Sequence, residues 1–299
     1  MSDPAILYGV GATKAGTSWL YRYLHDHPEC SLPAVKEAHY WDTFNAGARD
    51  KQLAAYGQRL VELRNLKAEA AVAGRGWQVQ NVTRRIADME ALIAVIGGDR
   101  QGDLAYGAWL TQGRGAARLV ADITPNYATL PEGKLERMAA LSPATRFIYL
   151  LRDPIDRLWS HVRMQARRFR QDHEVYEKKA NNILWRIVNA GAETHITERG
   201  DYPATIEKLA RVVPKDRLMV AFSETLLTVP GVERLCAFLG VAPHAAEAPE
   251  RVHEGRSVEM REDLRPKVAA FLKDQYDWVA RHMGPLPQAW QDNLQKALA

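Results

Sequence analysis

The order of apolar and polar positions along the chain predicts strands that alternate with helices. Short apolar runs predict buried strands at four places: 5–10, 118–123, 145–151 and 217–222. Apolar residues three and four apart predict helices between and after them: 17–27, 132–141, 155–170, 202–212, 232–239 and 262–282. Because such alternation is typical of parallel sheets covered on both faces, the pattern predicts an α/β fold with a central parallel sheet.

A different pattern occupies residues from about 45 to 118. Two segments, 50–73 and 81–96, are rich in Ala, Leu, Glu, Arg and Lys, and Gly74 and Gly76 lie between them. This composition predicts a helical hairpin inserted after the first strand–helix unit, with most of its charges on a solvated face. The 299 residues suffice for one large or two ordinary domains.

Charge and cysteine content narrow the class of protein. A formal net charge of +4 is too mild to argue for nucleic acid and is compatible with a pocket for an anionic small molecule. Cys30 and Cys236 have no metal-ligand spacing, which favours two reduced thiols over a disulfide. With no signal-peptide pattern and no apolar run near the roughly 20 residues of a membrane span, we expect a soluble, cytoplasmic protein without a membrane span.

The first predicted strand leads into the segment GATKAGTSWL, which begins at Gly11. Gly11 and Gly16 have the spacing of the phosphate-binding pattern G-x-x-x-x-G-K-[ST], but Thr17 stands where its lysine would be and Lys14 lies three residues earlier. Free backbone N–H groups, a helix N-terminus, the hydroxyls of Thr17 and Ser18 and the Lys14 cation all suit a phosphate ester. The alternative is an ordinary glycine-rich turn with a solvated lysine.

A second motif, RDPIDRLWS, follows the third predicted strand. Arg152 lies at the carboxyl end of that strand, where open α/β sheets bind ligands, and its guanidinium can donate two hydrogen bonds to a phosphate. Ser160 can reach the same group from the first turns of the next helix. The alternative is that Asp153 caps this helix while Arg152 and Arg157 form structural ion pairs.

The two motifs in this order resemble those of sulfotransferases that use 3′-phosphoadenylyl sulfate (PAPS). The first resembles the family's 5′-phosphosulfate loop, K-x-G-T-x-W, and the second its 3′-phosphate motif, R-D-P-x-x-R-x-x-S. The resemblance covers the whole sheet and leaves the insertion outside it. It implies a three-layer P-loop-like fold in a single domain over 1–299, with PAPS as donor and adenosine 3′,5′-bisphosphate (PAP) as product. It also implies sulfuryl transfer, without a metal, to a hydroxyl or amine of a carbohydrate or small molecule.

The resemblance assigns roles around the donor. Lys14 stabilises charge on the leaving phosphate, and Arg152 and Ser160 bind the 3′-phosphate. Trp19 matches a tryptophan that stacks on adenine, although a core position on the apolar helix face is the alternative. The residues of the 5′-phosphate loop are Lys14, Ala15, Gly16, Thr17 and Ser18. In the segment VHEGRSVEM, Gly255 and Arg256 match a loop that closes over the cofactor, with a solvated linker as the alternative.

A third segment, KEAHYWD, provides the candidate base. Sulfuryl transfer needs a group that takes the acceptor's proton, and Glu37 and His39 have that chemistry. The segment resembles K-E-x-H-[FY]-[FW]-D of heparan-sulfate-type sulfotransferases and their bacterial relatives. This resemblance implies Glu37 as the base, with His39 in support and Lys36 and Asp42 as secondary or substrate-binding residues. Local hydrogen bonding that orients the loop is the alternative for His39 and Asp42.

A fourth segment, ADITPNY, resembles the family's E-K-[ST]-P-x-Y but departs from it twice. Asp122 replaces a glutamate, and Ile123 replaces a lysine, which removes a cation and weakens the case for a sulfated polysaccharide as acceptor. Thr124 and Tyr127 are predicted substrate contacts.

Two rival functions stay open. A nucleotide-dependent phosphotransferase would need a lysine after Gly16 and a magnesium-binding acid at a strand end, where Asp122 and Asp153 are the residues available. A non-catalytic binding protein would bind the bisphosphate and transfer nothing, and the presence of Glu37 argues against it. The basic cluster after the second motif fits a solvated helix face better than an acceptor site: Arg163, Arg167, Arg168 and Arg170. The sequence does not indicate the identity of the acceptor or the oligomeric state.

Overall fold

A computed structural model describes residues 3–244 and 258–298. Within these residues the core is one five-stranded sheet in the order β2-β3-β1-β4-β5, with every neighbouring pair parallel. The strands are β1 (Ala5–Gly11), β2 (Cys30–Ser31), β3 (Leu119–Ile123), β4 (Thr145–Leu151) and β5 (Leu218–Phe222). The predicted α/β fold and the four predicted strands are confirmed. The short β2 was not predicted, because two residues are too few to show a periodicity.

Burial explains why the central strands are continuous apolar runs. Nearly every side chain of β1, β3 and β4 is buried, whereas β5, at one edge of the sheet, is only partly covered. Strands that have neighbours on both sides and helices on both faces expose no side chain to solvent.

Cys30 and Cys236 are both free thiols.

Thirteen α-helices accompany this sheet in the described parts of the chain. They are α1 (Thr17–Asp26), α2 (Ala46–Val72), α3 (Gly76–Gly97), α4 (Leu104–Thr111), α5 (Glu132–Ala139), α6 (Pro154–Arg168), α7 (Tyr176–Ala190), α8 (Thr194–Thr197), α9 (Tyr202–Val212), α10 (Ser223–Leu226), α11 (Val229–Leu239), α12 (Arg265–Met283) and α13 (Gln288–Leu298). The sequence did not predict α4, α7, α8, α10 or α13. None of the described helices is both long and apolar enough to cross a membrane.

The predicted insertion is a hairpin of α2 and α3, followed by α4. Helix α2 begins four residues earlier than expected because the Asn45 side chain caps it, accepting a hydrogen bond of 2.7 Å from the Ala48 N–H. Apolar residues of both long helices are buried: Tyr56, Leu60, Leu63, Met89 and Leu92. The hairpin therefore has its own apolar seam while most of its charges face solvent.

The end of the chain fixes the start of α6. Asp153 caps α6 by accepting from the Asp156 N–H, and its carboxylate also accepts from Tyr276 Oη at 2.6 Å and Asn293 Nδ2 at 2.7 Å. Burial raises the pKa of Asp153 to about 6, because fewer waters solvate its charge. The last two helices thus hold the segment that carries Arg152.

Parallel strands point their carboxyl ends at the same edge of the sheet. The loop after β1, the ADITPNY segment after β3, Arg152 after β4 and the KEAHYWD segment beyond β2 therefore meet at this edge. This edge is the candidate site.

Close contact between β1 and β3 at this edge gives a stability test. A Cβ on Gly9 would lie 2.7 Å from Ile123 Cδ1 and 2.9 Å from its Cγ2, so Gly9→Ala should lower the free energy of unfolding by about 1–3 kcal/mol in urea denaturation. The control is Gly57→Ala in α2, where nothing lies within 4 Å of the added carbon. It should raise the free energy of unfolding by about 0.5–1 kcal/mol. Equal effects of the two changes would contradict the close contact.

Candidate active site

The loop after β1 has the backbone of an anion site. Lys14 and Gly16 adopt positive φ angles of 71° and 97°, and α1 begins directly after Gly16. Among the described residues, no hydrogen bond partner faces the backbone N–H groups of Gly16, Thr17 or Ser18. Because these groups lie at the positive end of a helix, they suit a phosphate or sulfate oxygen.

Arg152 joins the two predicted donor motifs. Its Nη1 donates to the carbonyl oxygen of Lys14 at 3.4 Å, across 138 positions of sequence. Its other contact, 3.4 Å to Asp156, is a loose ion pair. Burial lowers the pKa of Lys14, and the charges of Arg152, Lys36 and Arg163 lower it further. Several cations therefore share one small region, as an anionic ligand requires.

Helix α6 adds residues that the sequence described only in part. Ser160 lies on α6, the helix that follows Arg152, and its side chain is buried. Arg157 is fully buried, and within residues 3–244 and 258–298 no ion pair holds it, so of the two ion pairs in the alternative interpretation only that of Arg152, with Asp156, is present. Its guanidinium lies against Gly200, and burial lowers its pKa. Arg163 is half-buried near Lys14 rather than on a solvated face, whereas Arg167, Arg168 and Arg170 are exposed as expected.

The KEAHYWD segment forms a chain of ionised contacts. Lys36 Nζ lies 2.6 Å from Glu37 Oε1, and His39 Nε2 lies 3.8 Å from Glu37 Oε2. His39 Nδ1 lies 2.8 Å from Asp42 Oδ2. Burial favours a higher pKa for Glu37, but its contacts with His39 and Lys36 outweigh burial and lower the pKa to about 2. Burial likewise opposes a charge on His39, but Asp42 and Glu37 raise its pKa to about 9. At neutral pH Glu37 is therefore a carboxylate and His39 an imidazolium.

A buried network fixes the backbone of this segment. Tyr127 Oη accepts from the Tyr40 N–H at 3.0 Å and donates to Asp122 Oδ2 at 2.8 Å. Asp122 also accepts from Tyr106 Oη at 2.8 Å and Thr124 Oγ1 at 2.6 Å. Thr124 and Tyr127 were expected to contact substrate, but both are fully buried and engaged inside the protein. In this structure their hydroxyls hold the loop, and contact of either residue with substrate stays a prediction.

Three residues in the site were not among the predicted site residues. Asn126 donates its side-chain amide to Asp42, and Tyr56 of the insertion donates to the Glu37 carbonyl oxygen at 2.8 Å. Arg199 lies near both acids: burial lowers its pKa, while the charges of Asp42 and Glu37 raise it. Their positions depend on contacts between distant segments, so no local spacing could have indicated them.

Three predicted donor-binding residues remain: Trp19, Gly255 and Arg256. Trp19 is 8% exposed and stacks on Tyr23 with the ring centroids 5.3 Å apart, so one face of the indole packs on α1 itself. Adenine stacking by Trp19 stays a prediction. Gly255 and Arg256 lie outside the described residues. Within the described ranges no cluster of three or more His, Cys, Asp or Glu side chains could hold a metal ion.

Comparison with known proteins shows the family to which the chain belongs. The model of the sulfotransferase family matches residues 6–245. The chain belongs to the sulfotransferase family, and this membership implies a transferase enzyme. The described fold is similar to a sulfotransferase from Alicyclobacillus acidocaldarius, with a TM-score of 0.58 and 22% identity over 97% of this chain and 100% of that one.

A second solved structure has the same architecture. It is the sulfotransferase domain from the curacin biosynthetic pathway, with a TM-score of 0.50 and 20% identity over 99% of this chain and 97% of that one. At these identities the two structures show the shared fold alone. None of the curated proteins matches the sequence.

The charge state of His39 is directly measurable. An NMR titration of the ¹⁵N-labelled imidazole should give a pKa of about 9, against an ordinary value of about 6.5. Asp42→Asn should lower this pKa, because a neutral amide no longer stabilises the imidazolium. The control Asp50→Asn, an exposed residue on α2, should leave it unchanged. A His39 pKa that is equal in the Asp42→Asn variant and the unaltered protein would contradict the ion pair.

Proposed function

We propose that the protein transfers a sulfuryl group from PAPS to a hydroxyl or amine of a carbohydrate or small molecule and releases PAP. The observation that carries the proposal is the junction at Arg152. Its side chain reaches the carbonyl of Lys14, so the two phosphate motifs lie together. Lys36 lies close enough to Lys14 to lower its pKa, and it contacts the Glu37 carboxylate. The participating residues come from both sides of the insertion, which fits a single domain over 1–299.

The residues at this edge fit a nucleotide with phosphates at two positions. The backbone N–H groups of Gly16, Thr17 and Ser18 would hold the 5′-phosphate, with Lys14 beside it. Arg152 and Ser160 would hold the 3′-phosphate. When bound, PAPS supplies the sulfuryl group and a phosphate leaving group, and a lysine next to that phosphate stabilises the charge that develops on it.

Glu37 is the residue suited to accept the acceptor's proton. Lys36 at 2.6 Å and His39 at 3.8 Å keep its carboxylate ionised. Glu37 is therefore unprotonated and able to take a proton, but its lowered pKa makes it a weak base. An anion bound at the Lys14 loop competes for the Lys36 ammonium. Loss of the contact between Lys36 and Glu37 raises the pKa of Glu37. Glu37 is then a stronger base when donor and acceptor are both bound. His39, held by Asp42, orients the carboxylate.

The phosphotransferase alternative has less support from the same edge. Thr17 occupies the position of the Walker lysine. Asp122 accepts three hydroxyl donors, from Tyr106, Thr124 and Tyr127, and is fully buried beneath the site. Asp153 is committed to the cap of α6 and to the last two helices. Neither carboxylate has the free oxygens that a magnesium-nucleotide site uses.

Ligand-induced stabilisation separates these two functions. A ligand that binds the folded protein raises its melting temperature, so PAP should do so in differential scanning fluorimetry. Arg152→Ala should weaken PAP binding about 10- to 100-fold, because a charge-assisted hydrogen bond is lost. Arg167→Ala, on the exposed part of α6, is the matched control and should bind PAP normally. Stabilisation by ATP with magnesium and none by PAP would refute the donor assignment.

Single-turnover kinetics with radiolabelled PAPS and an acceptor panel tests the roles of Glu37 and Lys14. Glu37→Gln should lower the transfer rate about 10²- to 10⁴-fold without loss of PAP affinity, since an amide cannot accept the proton. Lys14→Ala should lower the rate about 10²- to 10³-fold, because charge on the leaving phosphate loses a partner. Glu69→Gln, exposed on α2, should transfer normally. Equal loss of PAP affinity and rate in Glu37→Gln would refute its role as base, and PAP binding without transfer to any acceptor would favour a binding protein.

A further inference from the structure

A cleft of about 880 Å³ separates α1 from the inserted hairpin. One end lies at Ser18, beside the donor loop, and at Lys36, beside the Glu37 carboxylate. The other end lies at His25 and Arg84. The cleft therefore opens from the candidate active site and extends along α1 away from the donor loop.

The walls of this cleft carry an excess of positive charge. Its basic side chains are Arg22, Lys36, Arg59, Arg84 and Arg85. The acids beside them have partners already: Glu62 pairs with Arg59 at 2.5 Å, Asp26 with His25 at 2.8 Å, and Asp88 accepts from the Ala34 N–H at 2.7 Å.

Three of the cleft arginines have no acid of their own. In the described residues, no carboxylate lies within ion-pair distance of Arg22, Arg84 or Arg85, and Arg84 contacts His25 Nε2 at 3.2 Å instead. Arg85 is also partly buried, and both burial and the charge of Arg59 lower its pKa. Arg22 is exposed and Arg85 is half-buried, so an anion in the cleft would offset the partial desolvation of Arg85.

Helix α1 gives the spacing of the cleft residues along its axis. Ser18, Arg22 and His25 follow one face of α1 at four- and three-residue spacing. At 1.5 Å per residue, Arg22 is about 6 Å and His25 about 10 Å along the axis from Ser18. Trp19 and Tyr23 stack on another face, so the cleft and the proposed adenine position lie on different sides of α1.

We propose that this cleft binds the acceptor, and that the acceptor carries a carboxylate or phosphate about 6–10 Å from the hydroxyl or amine that is sulfated. The anion pairs with Arg22 and Arg85, and the reacting group lies at the Lys36 and Glu37 end. The inference deepens the proposed function and rests on it for the identity of the reacting end, whereas the anion site rests on the cleft alone.

Isothermal titration of the full chain with matched probes tests the anion site. The probes are 6-hydroxyhexanoate, 6-hydroxyhexyl phosphate and the neutral 1,6-hexanediol, each with and without saturating PAP. At least one anion should bind about tenfold or more tightly than the diol, because charge-assisted hydrogen bonds form to arginine. The anion that binds more tightly identifies the acceptor's charged group.

Variants assign that binding to the cleft. Arg22→Gln and Arg85→Gln should each weaken binding of the preferred anion about tenfold, with PAP and diol affinities unchanged. Arg75→Gln, exposed at the hairpin tip, removes the same charge outside the cleft and should change nothing. Equal binding of diol and anions, unaltered anion binding in both cleft variants, or no binding of any probe would overturn the proposal. Because PAP is titrated separately, a failure of the donor assignment is distinguishable from a failure of the anion site.

Discussion

The hydrogen bonds to the buried Asp122 carboxylate are the constraint on which the rest of the site depends. Asp122 lies on β3 and accepts from Tyr106 of the insertion and from Thr124 and Tyr127 beyond the strand. The Tyr127 hydroxyl in turn accepts from the Tyr40 N–H of the KEAHYWD segment. A charge buried without these donors would be costly, and three hydroxyls offset that cost. The network therefore connects sheet, insertion and base segment in one arrangement.

Positively charged side chains cluster at the carboxyl edge of the sheet. Lys14, Lys36 and Arg152 lie close enough together for their charges to lower the pKa of Lys14, an arrangement that destabilises the protein without a ligand. Glu37 offsets part of this repulsion and stays ionised because of it. The same electrostatics thus favour an anion at this edge and keep Glu37 unprotonated, and perturbed pKa values often cluster at functional sites.

The insertion also has a place in this arrangement. Its Tyr56 hydroxyl donates to the Glu37 carbonyl oxygen, so α2 helps to fix the base as well as forming a wall of the basic cleft. At the opposite side, Tyr276 and Asn293 hold Asp153 and with it the start of α6. Segments far apart in sequence therefore set the two ends of the site, which explains why the active edge needs nearly the whole chain.

The sequence by itself determined the alternation of strands and helices, the inserted hairpin and the motifs around Lys14, Glu37 and Arg152, because periodicity and short spacing are local properties. Only the tertiary structure decided that Tyr127 holds the Tyr40 N–H of the KEAHYWD segment, and that Arg199 lies near Glu37. Those placements depend on which strand ends meet at one edge of the sheet and on what burial leaves exposed. No local pattern encodes such contacts, since they join residues that are distant along the chain.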